Sequence, residues 1–374
     1  MLQYNNFNIY RLGELVMHCL KTLFLASTLL AASVAAAKAE VNVVASIKPI
    51  HSLVAAVMSG VDEPGLIVDG AGSPHNWALK PSQAKMLESA NIIFWVGHEL
   101  EAFLVKPLET VGANARSVEL VEAHGLIKYE FREGGAFDDH DHKGEDGHGD
   151  HGKEEAGHEG HGKEEQGHEI KQTAKDSHGH EGDNKDHKKA DIDHHEGDGH
   201  GTFDPHMWLD PINAKAIVHE IEEVLVKADP SNAAKYEANA KAVMIKLDAL
   251  ISEVSNKLKP VHGRGFVVFH DAYQYFEKRF ELTASGSITV SPEVMPGAKR
   301  IKEIQRRVKE LGATCVFSEP QFEPKLVSTV MEGTQAETGI IDPLGAALDS
   351  GPDLYFELIR NMATSIKTCL SASS

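Results

Sequence analysis

Cysteine is nearly absent from this chain, with three in 374 residues. No CxxC and no HExxH occurs, so the spacing of candidate metal ligands is by itself a weak signal. No basic face is evident and the formal net charge is −19, which argues against a nucleic-acid partner. No tandem short repeat is present. One stretch, residues 138–200, lacks large apolar side chains almost entirely, Ile170 and Ile192 apart. A segment of that kind buries too little apolar surface to offset the entropy of ordering itself, so disorder is expected there.

What that stretch has instead is imidazole and carboxylate. Thirteen of the 22 histidines lie within these 63 residues, with 20 Asp or Glu and eight Lys, a local charge of −12. The remainder carries −7 (−19 minus −12) and is only mildly acidic. Histidine-rich tracts read as metal binding, and neutral imidazole suits zinc, copper and nickel. His140, His142, His148, His151, His194, His195 and His200 are the candidate ligands of weak secondary sites.

Near the N-terminus, a lysine precedes an apolar run from Leu23 to Ala37, followed by the small-x-small sequence Ala37-Lys38-Ala39. This is the pattern of a secretory signal peptide cleaved near Ala39-Glu40; the other reading is a membrane anchor. Met17 is an alternative start, and Cys19 falls within the segment to be removed. Cys315 and Cys369 remain. Two cysteines in an exported chain most simply form one disulfide, the alternative being two buried thiols.

The remaining sequence alternates short β-branched runs with helical stretches. Strands are expected at Val41–Ile47, Gly65–Asp69, Asn91–Gly97 and Ser117–Val121, with helices at His51–Met58, Lys80–Ser89 and Glu99–Val111. Beyond the insert, Asp210-Pro211 opens a helix to about Lys227. Asn232–Lys257 then shows apolar residues spaced near three, four and seven, an amphipathic helix about 39 Å long at 1.5 Å per residue. The alternation restarts with strands at Phe266–His270, Leu282–Ile288, Thr314–Ser318 and Thr338–Asp342, helices at Asp271–Arg279, Gly297–Leu311 and Pro324–Thr334, and a last helix at Leu354–Cys369. The fold class is α/β: two similar αβ lobes with parallel sheets, joined by one long rigid helix. The expected domains are a signal peptide (1–39), an N-terminal lobe including the insert (40–230), a linker helix (231–258) and a C-terminal lobe (259–374).

Four residues are candidate ligands of a main site: His75 in GAGSPHNW, His206 in FDPHMW, His270 ending FVVFH and Asp342 ending TGIID. Each lies at or just beyond the carboxyl end of a strand or in a loop, where open αβ sheets bind ligands. Three imidazoles and one carboxylate complete a tetrahedral zinc shell. Each also has a plainer reading: surface loop residues for His75 and His206, a satisfied buried histidine for His270, a turn former for Asp342. His51, His98, His124, His219 and His262 are weaker candidates.

The stretches SIKPIHSLVAAV, AGSPHNWALKPSQ, FDPHMWLDP, GFVVFHDAYQYFE and IDPLG resemble the ZnuA-type zinc-binding proteins, periplasmic solute-binding subunits of zinc ABC importers. The resemblance covers essentially the whole mature chain, insert included. It implies two αβ lobes on one rigid helix and puts the metal histidines at His75, His206 and His270. In relatives that import manganese, the position of His270 is typically a glutamate, so histidine there points to Zn2+. Some zinc members carry Glu before the first histidine; here Pro74 stands in that place, leaving Asp342, water or an insert residue as fourth ligand, with Asp342 favoured. The resemblance also implies a Cys315–Cys369 bridge.

The expected function is capture of Zn2+ between two lobes and delivery to an inner-membrane ABC permease, without catalysis. The chain is expected to be a periplasmic monomer, with other periplasmic zinc chaperones as further candidate partners. One alternative is an exported zinc hydrolase, for which Glu99, Glu293 or Glu319 would have to supply the base; another is a stand-alone periplasmic metal buffer.

Overall fold

In the computed structural model, residues 41–132, 137, 203–289, 297–310, 315–322 and 324–372 are described. The signal-peptide segment, Glu293 and the seven insert histidines named above lie outside the described residues.

Two four-stranded parallel sheets organise the chain. The first contains β1 (Val43–Ile47), β2 (Gly65–Val68), β3 (Ile92–Trp95) and β4 (Arg116–Glu119), in the order β2-β1-β3-β4. The second contains β5 (Phe266–His270), β6 (Ala284–Thr289), β7 (Cys315–Ser318) and β8 (Glu337–Ile340), in the order β6-β5-β7-β8. The two lobes therefore share one strand order. In such a sheet the connections leave the first strand in opposite directions, which opens a crevice at the carboxyl ends of the first and third strands. β1 and β5 are buried along their whole length, as unbroken apolar runs of a doubly covered parallel sheet should be.

Nine helices connect these strands among the described residues: α1 (Lys48–Val57), α2 (Pro81–Ser89), α3 (Ala102–Glu109), α4 (Pro211–Ala228), α5 (Ala233–Leu258), α6 (Gln274–Arg279), α7 (Ala298–Glu310), α8 (Pro324–Met331) and α9 (Leu354–Ala372). Proline starts α1, α2 and α4, where its missing N–H removes nothing the first turn needs. The long helix α5 buries Tyr236, Ala240, Val243, Leu247, Leu250, Val254 and Leu258, spaced by three or four residues and so on one face. That face meets α1, α4 and α9, and one apolar core runs through both lobes across it. Each large side chain so buried contributes about 1.5–3 kcal/mol. Along β5 the pleat divides the work: Phe266 and Val268 join that core, while Val267 and Phe269 join a smaller one with Ile304, Val308, Val327 and Val330.

The observed elements depart from the sequence expectations mainly at their ends. The helix expected from Glu99 begins at Ala102, because Glu101 turns inward instead. Its Oε2 accepts the N–H groups of Val96 (2.9 Å) and Gly97 (3.0 Å), and burial raises its pKa to about 7. The helix expected from Asp271 begins at Gln274, and the strand expected to reach Asp342 ends at Ile340. In both places, side chains of the nearby loop are engaged in the site described below.

Cys315 on β7 and Cys369 on α9 are disulfide-bonded, with a Cα–Cα separation of 6.1 Å and a sequence separation of 54. In the chain-entropy account a loop of that length contributes about 4 kcal/mol. The double variant Cys315→Ser/Cys369→Ser should lose stability of that order in oxidising urea titrations. An unchanged midpoint would show that the last helix is held by packing alone.

Candidate metal centre

His75, His206 and His270 converge from three distant points in the chain. Their donor atoms lie within 4.8 Å of one another, and their ring centroids are 5.2 to 6.1 Å apart. They face a pocket of about 250 Å³, walled by Pro74 and Trp208 on one side and by Glu319, Phe322 and Leu344 on the other.

His75 sits on a single 3-10 turn, Pro74–Asn76, beyond β2. Ser73 caps the turn by accepting the His75 N–H (3.3 Å). The surrounding motif is a small folded unit. Buried Gln83 donates to the Ile67 carbonyl (2.5 Å) and accepts from Trp77 Nε1 (3.2 Å) and from the Lys80 N–H (2.8 Å). The Trp77 ring lies so close over Gly72 that a Cβ there would fall 1.9 Å from it, which is why that position needs glycine. Nε2 of His75 is buried without a hydrogen-bond partner. Burial first, then the neighbouring His206 and His270, hold its pKa well below the usual histidine range, so the ring is neutral at pH 7.

His206 is fixed by Asp204, two residues earlier. One carboxylate oxygen accepts both the His206 backbone N–H (3.0 Å) and its Nδ1 proton (2.7 Å). Buried Trp208 donates from Nε1 to the Pro343 carbonyl across the pocket (2.9 Å). Asp210 caps α4 through Ile212 N (2.8 Å) and pairs with Arg279 (2.6 and 2.8 Å). His270 ends β5, and its Nδ1 faces Glu319 Oε1 at 2.7 Å, just beyond β7. Both residues therefore sit at the crevice between the first and third strands of their sheet. Burial pulls the His270 pKa down, but Glu319, with Asp271 and Asp204 behind it, outweighs burial and raises it.

A carboxylate only accepts, so the Nδ1 atoms of His206 and His270 carry the protons and both Nε2 atoms present lone pairs. Those two lone pairs point at each other across 3.4 Å. Ligand atoms at about 2.05 Å from a tetrahedral ion are about 3.3 Å apart. The spacing is that of two corners of a metal tetrahedron, and the unpartnered Nε2 of His75 is aimed at the same space.

Asp342, the fourth expected ligand, is not in this group. Its Oδ1 accepts from Gln321 Nε2 (2.9 Å), Leu344 N (3.1 Å) and Gly345 N (3.0 Å), and its Oδ2 from Ala346 N (2.6 Å). The other histidines are elsewhere. His51 is buried and bonded to the Pro64 carbonyl (2.9 Å); His124 is exposed. His219 lies 3.8 and 3.6 Å from Glu222 and Glu223 on α4, and His262 lies 3.7 Å from Glu281. His98 forms a second group with Glu99 (3.0 Å) and Glu119 (3.1 Å), in which the histidine is exposed. Asp204 and Glu319 had not been singled out as orienting groups. The signals were a carboxylate two residues before His206 and another at the end of the strand neighbouring β5.

If Glu319 is what raises the His270 pKa, Glu319→Gln leaves burial opposed only by Asp271 and Asp204, and the pKa should fall. An NMR titration of the metal-free protein measures this. A His270 pKa that stays raised in the variant would contradict the assignment.

Comparison with known proteins places the chain in a family. Residues 43–369 match the family described as zinc-uptake complex component A, periplasmic (ZnuA). The high-affinity zinc uptake system protein ZnuA of Brucella suis is 53% identical over 357 residues, covering 95% of this chain and 100% of that protein. Its namesake from Yersinia pestis is 35% identical over 354 residues, 94% of this chain and 98% of that one. A crystal structure of ZnuA shares the fold with a TM-score of 0.63 at 22% identity, covering 88% of this chain and 99% of that chain. So does a Mn2+ complex of the solute-binding protein FpvC from Pseudomonas aeruginosa, with a TM-score of 0.64 at 15% identity over 90% and 100% of the two chains. With the match running from the start of β1 into α9, this chain belongs to the ZnuA family of zinc-uptake proteins.

Proposed function

We propose that this protein captures Zn2+ in the periplasm on the Nε2 atoms of His75, His206 and His270 and delivers it to an inner-membrane ABC permease. The observation that carries the reading is the pair of opposed Nε2 atoms at 3.4 Å, each with its Nδ1 committed to a carboxylate. Imidazole donors in this number favour zinc over the harder manganese and magnesium. Zinc is the cargo, so no bond to carbon or phosphorus is made or broken. A hydrolase would need a base beside an open metal position, and Glu319 and Asp204 are already hydrogen-bonded to His270 and His206.

Charge favours the same reading. Asp204 and Glu319 behind two of the ligands make the imidazoles better donors and compensate a dication in a dry pocket. The fourth position goes to water or to Asp342, whose Oδ2 accepts from one amide, that of Ala346. The histidines of residues 138–200 are assigned weak, exchangeable sites that add capacity without forming the tight one.

His270→Ala, in a protein lacking residues 138–200, should weaken zinc binding by more than about 100-fold, since even orienting groups behind a ligand are worth 10–100-fold. Isothermal calorimetry measures this, and unchanged affinity would remove His270 from the site. Acid should weaken binding too. A proton on Nε2 excludes the metal, and the raised pKa of His270 means competition begins on descending through a pH above about 6.5. Zinc affinity measured by competition with a chelating dye should already be falling as the pH descends to the ordinary histidine value of about 6.5; affinity level to about pH 5.5 would contradict the three-imidazole shell.

A further inference from the structure

The distance between His206 and His270 is not set by either sheet. His206 belongs to a strap formed by residues 129–132 and 203–210, which lie on either side of the histidine-rich stretch in sequence. The two parts of the strap meet in an antiparallel bridge between Glu130 and Phe203 and in a hydrogen bond from Asp204 N to the Tyr129 carbonyl (2.9 Å). The strap lies on α6, the short helix that begins four residues after His270.

Four side chains of α6 grip it. Gln274 Nε2 donates to the Glu130 carbonyl (2.9 Å) and to Asp204 Oδ2 (3.0 Å). The Tyr275 hydroxyl donates to the Asp204 carbonyl (2.8 Å) and accepts from Tyr129 N (3.1 Å). Glu277 accepts from both terminal nitrogens of Arg132 (2.9 and 3.0 Å), while Arg132 also pairs with Asp271, the residue after His270. Arg279 pairs with Asp210. Within this joint only one chain of contacts reaches a ligand ring. Asp204 divides its carboxylate, one oxygen to His206 Nδ1 and the other to Gln274. Both Asp204 and Gln274 are buried, at 1% and 2% exposure, so water does not replace either contact.

We propose that Gln274 is a positioning residue of the metal site: through Asp204 it sets the orientation of the His206 imidazole and the separation of its Nε2 from that of His270. This rests on the reading of His206 and His270 as metal ligands. Without the Gln274 donor, Asp204 Oδ2 is a buried acceptor with no partner, and the carboxylate is free to turn away from Nδ1. His206 then loses the contact that fixes both its tautomer and its direction.

The test uses Co2+, whose visible absorption reports tetrahedral geometry, together with zinc affinity. Gln274→Met has similar length and no donor; Gln274→Glu replaces the donor with an acceptor, a second variant should the first not fold. Either should raise the zinc Kd about 10–100-fold and alter the cobalt bands. Tyr236→Phe, which removes the remote bond to Asp229 (3.1 Å), should change thermal stability but not the cobalt spectrum. In an Asp204→Asn background the further effect of Gln274→Met should largely vanish, because both act on the same ring. An equal factor in both backgrounds, or variants with native Kd and spectrum, would overturn the proposal. His270→Ala separates the two levels. If it keeps the native cobalt spectrum, the ligand assignment itself fails; if it loses the spectrum while the Gln274 variants do not change it, only the positioning role fails.

Discussion

Two imidazoles of this protein are held with their lone pairs facing each other. Asp204 and Glu319 each take the Nδ1 proton of one ring, and the Nε2 atoms of His206 and His270 are left 3.4 Å apart with no donor between them. A buried acceptor pair of that kind costs free energy unless a cation lies between the two atoms. A proton can serve, and Glu319, with Asp271 and Asp204, favours one on His270 by raising its pKa. On the proposed reading a divalent ion would serve better, since it would also engage the unpartnered Nε2 of His75. On that reading proton and metal would compete for one space, which is why the proposed site should be acid-sensitive.

The architecture exists to bring those rings together. Each sheet supplies a crevice at the carboxyl end of its first and third strands, and the second sheet fills its crevice with His270 and Glu319. The first sheet supplies His75 on a turn beyond β2. The lobes are pinned near the pocket by several contacts. Trp208 reaches the Pro343 carbonyl, and buried Lys48 donates to the carbonyls of Ala346 (3.2 Å) and Leu348 (2.6 Å). Behind them, α5 carries one apolar face through a core common to both lobes. The protein is built to hold a ligand geometry, and the polar joints sit where that geometry is set.

Much of this was legible in the residues. The alternation of β-branched runs with amphipathic stretches gives two parallel sheets, and the apolar spacing from Tyr236 to Leu258 gives the spine, because both signals come from local periodicity. The three histidines were legible as strand-end and loop residues in recurring motifs, although spacing alone did not separate them from buried or surface histidines. His51 makes the point: it lies in one of those motifs and is bonded to a backbone carbonyl of its own lobe. Asp342 was expected at the metal, but its place after a strand also suits a turn, and the carboxylate here binds three consecutive amides and Gln321. Asp204, two residues before His206, left a local signal, but Glu319 is harder to read off the chain, since it meets His270 through β7 pairing beside β5, a contact 49 residues apart in sequence.

The most direct test is a crystal structure of the zinc-loaded protein with anomalous scattering recorded on both sides of the zinc edge. The account requires one strong anomalous peak between the lobes, bound by the Nε2 atoms of His75, His206 and His270 at about 2.0–2.1 Å. A principal peak at any other set of residues, or one bound through Nδ1 with Asp204 and Glu319 turned away, would contradict it.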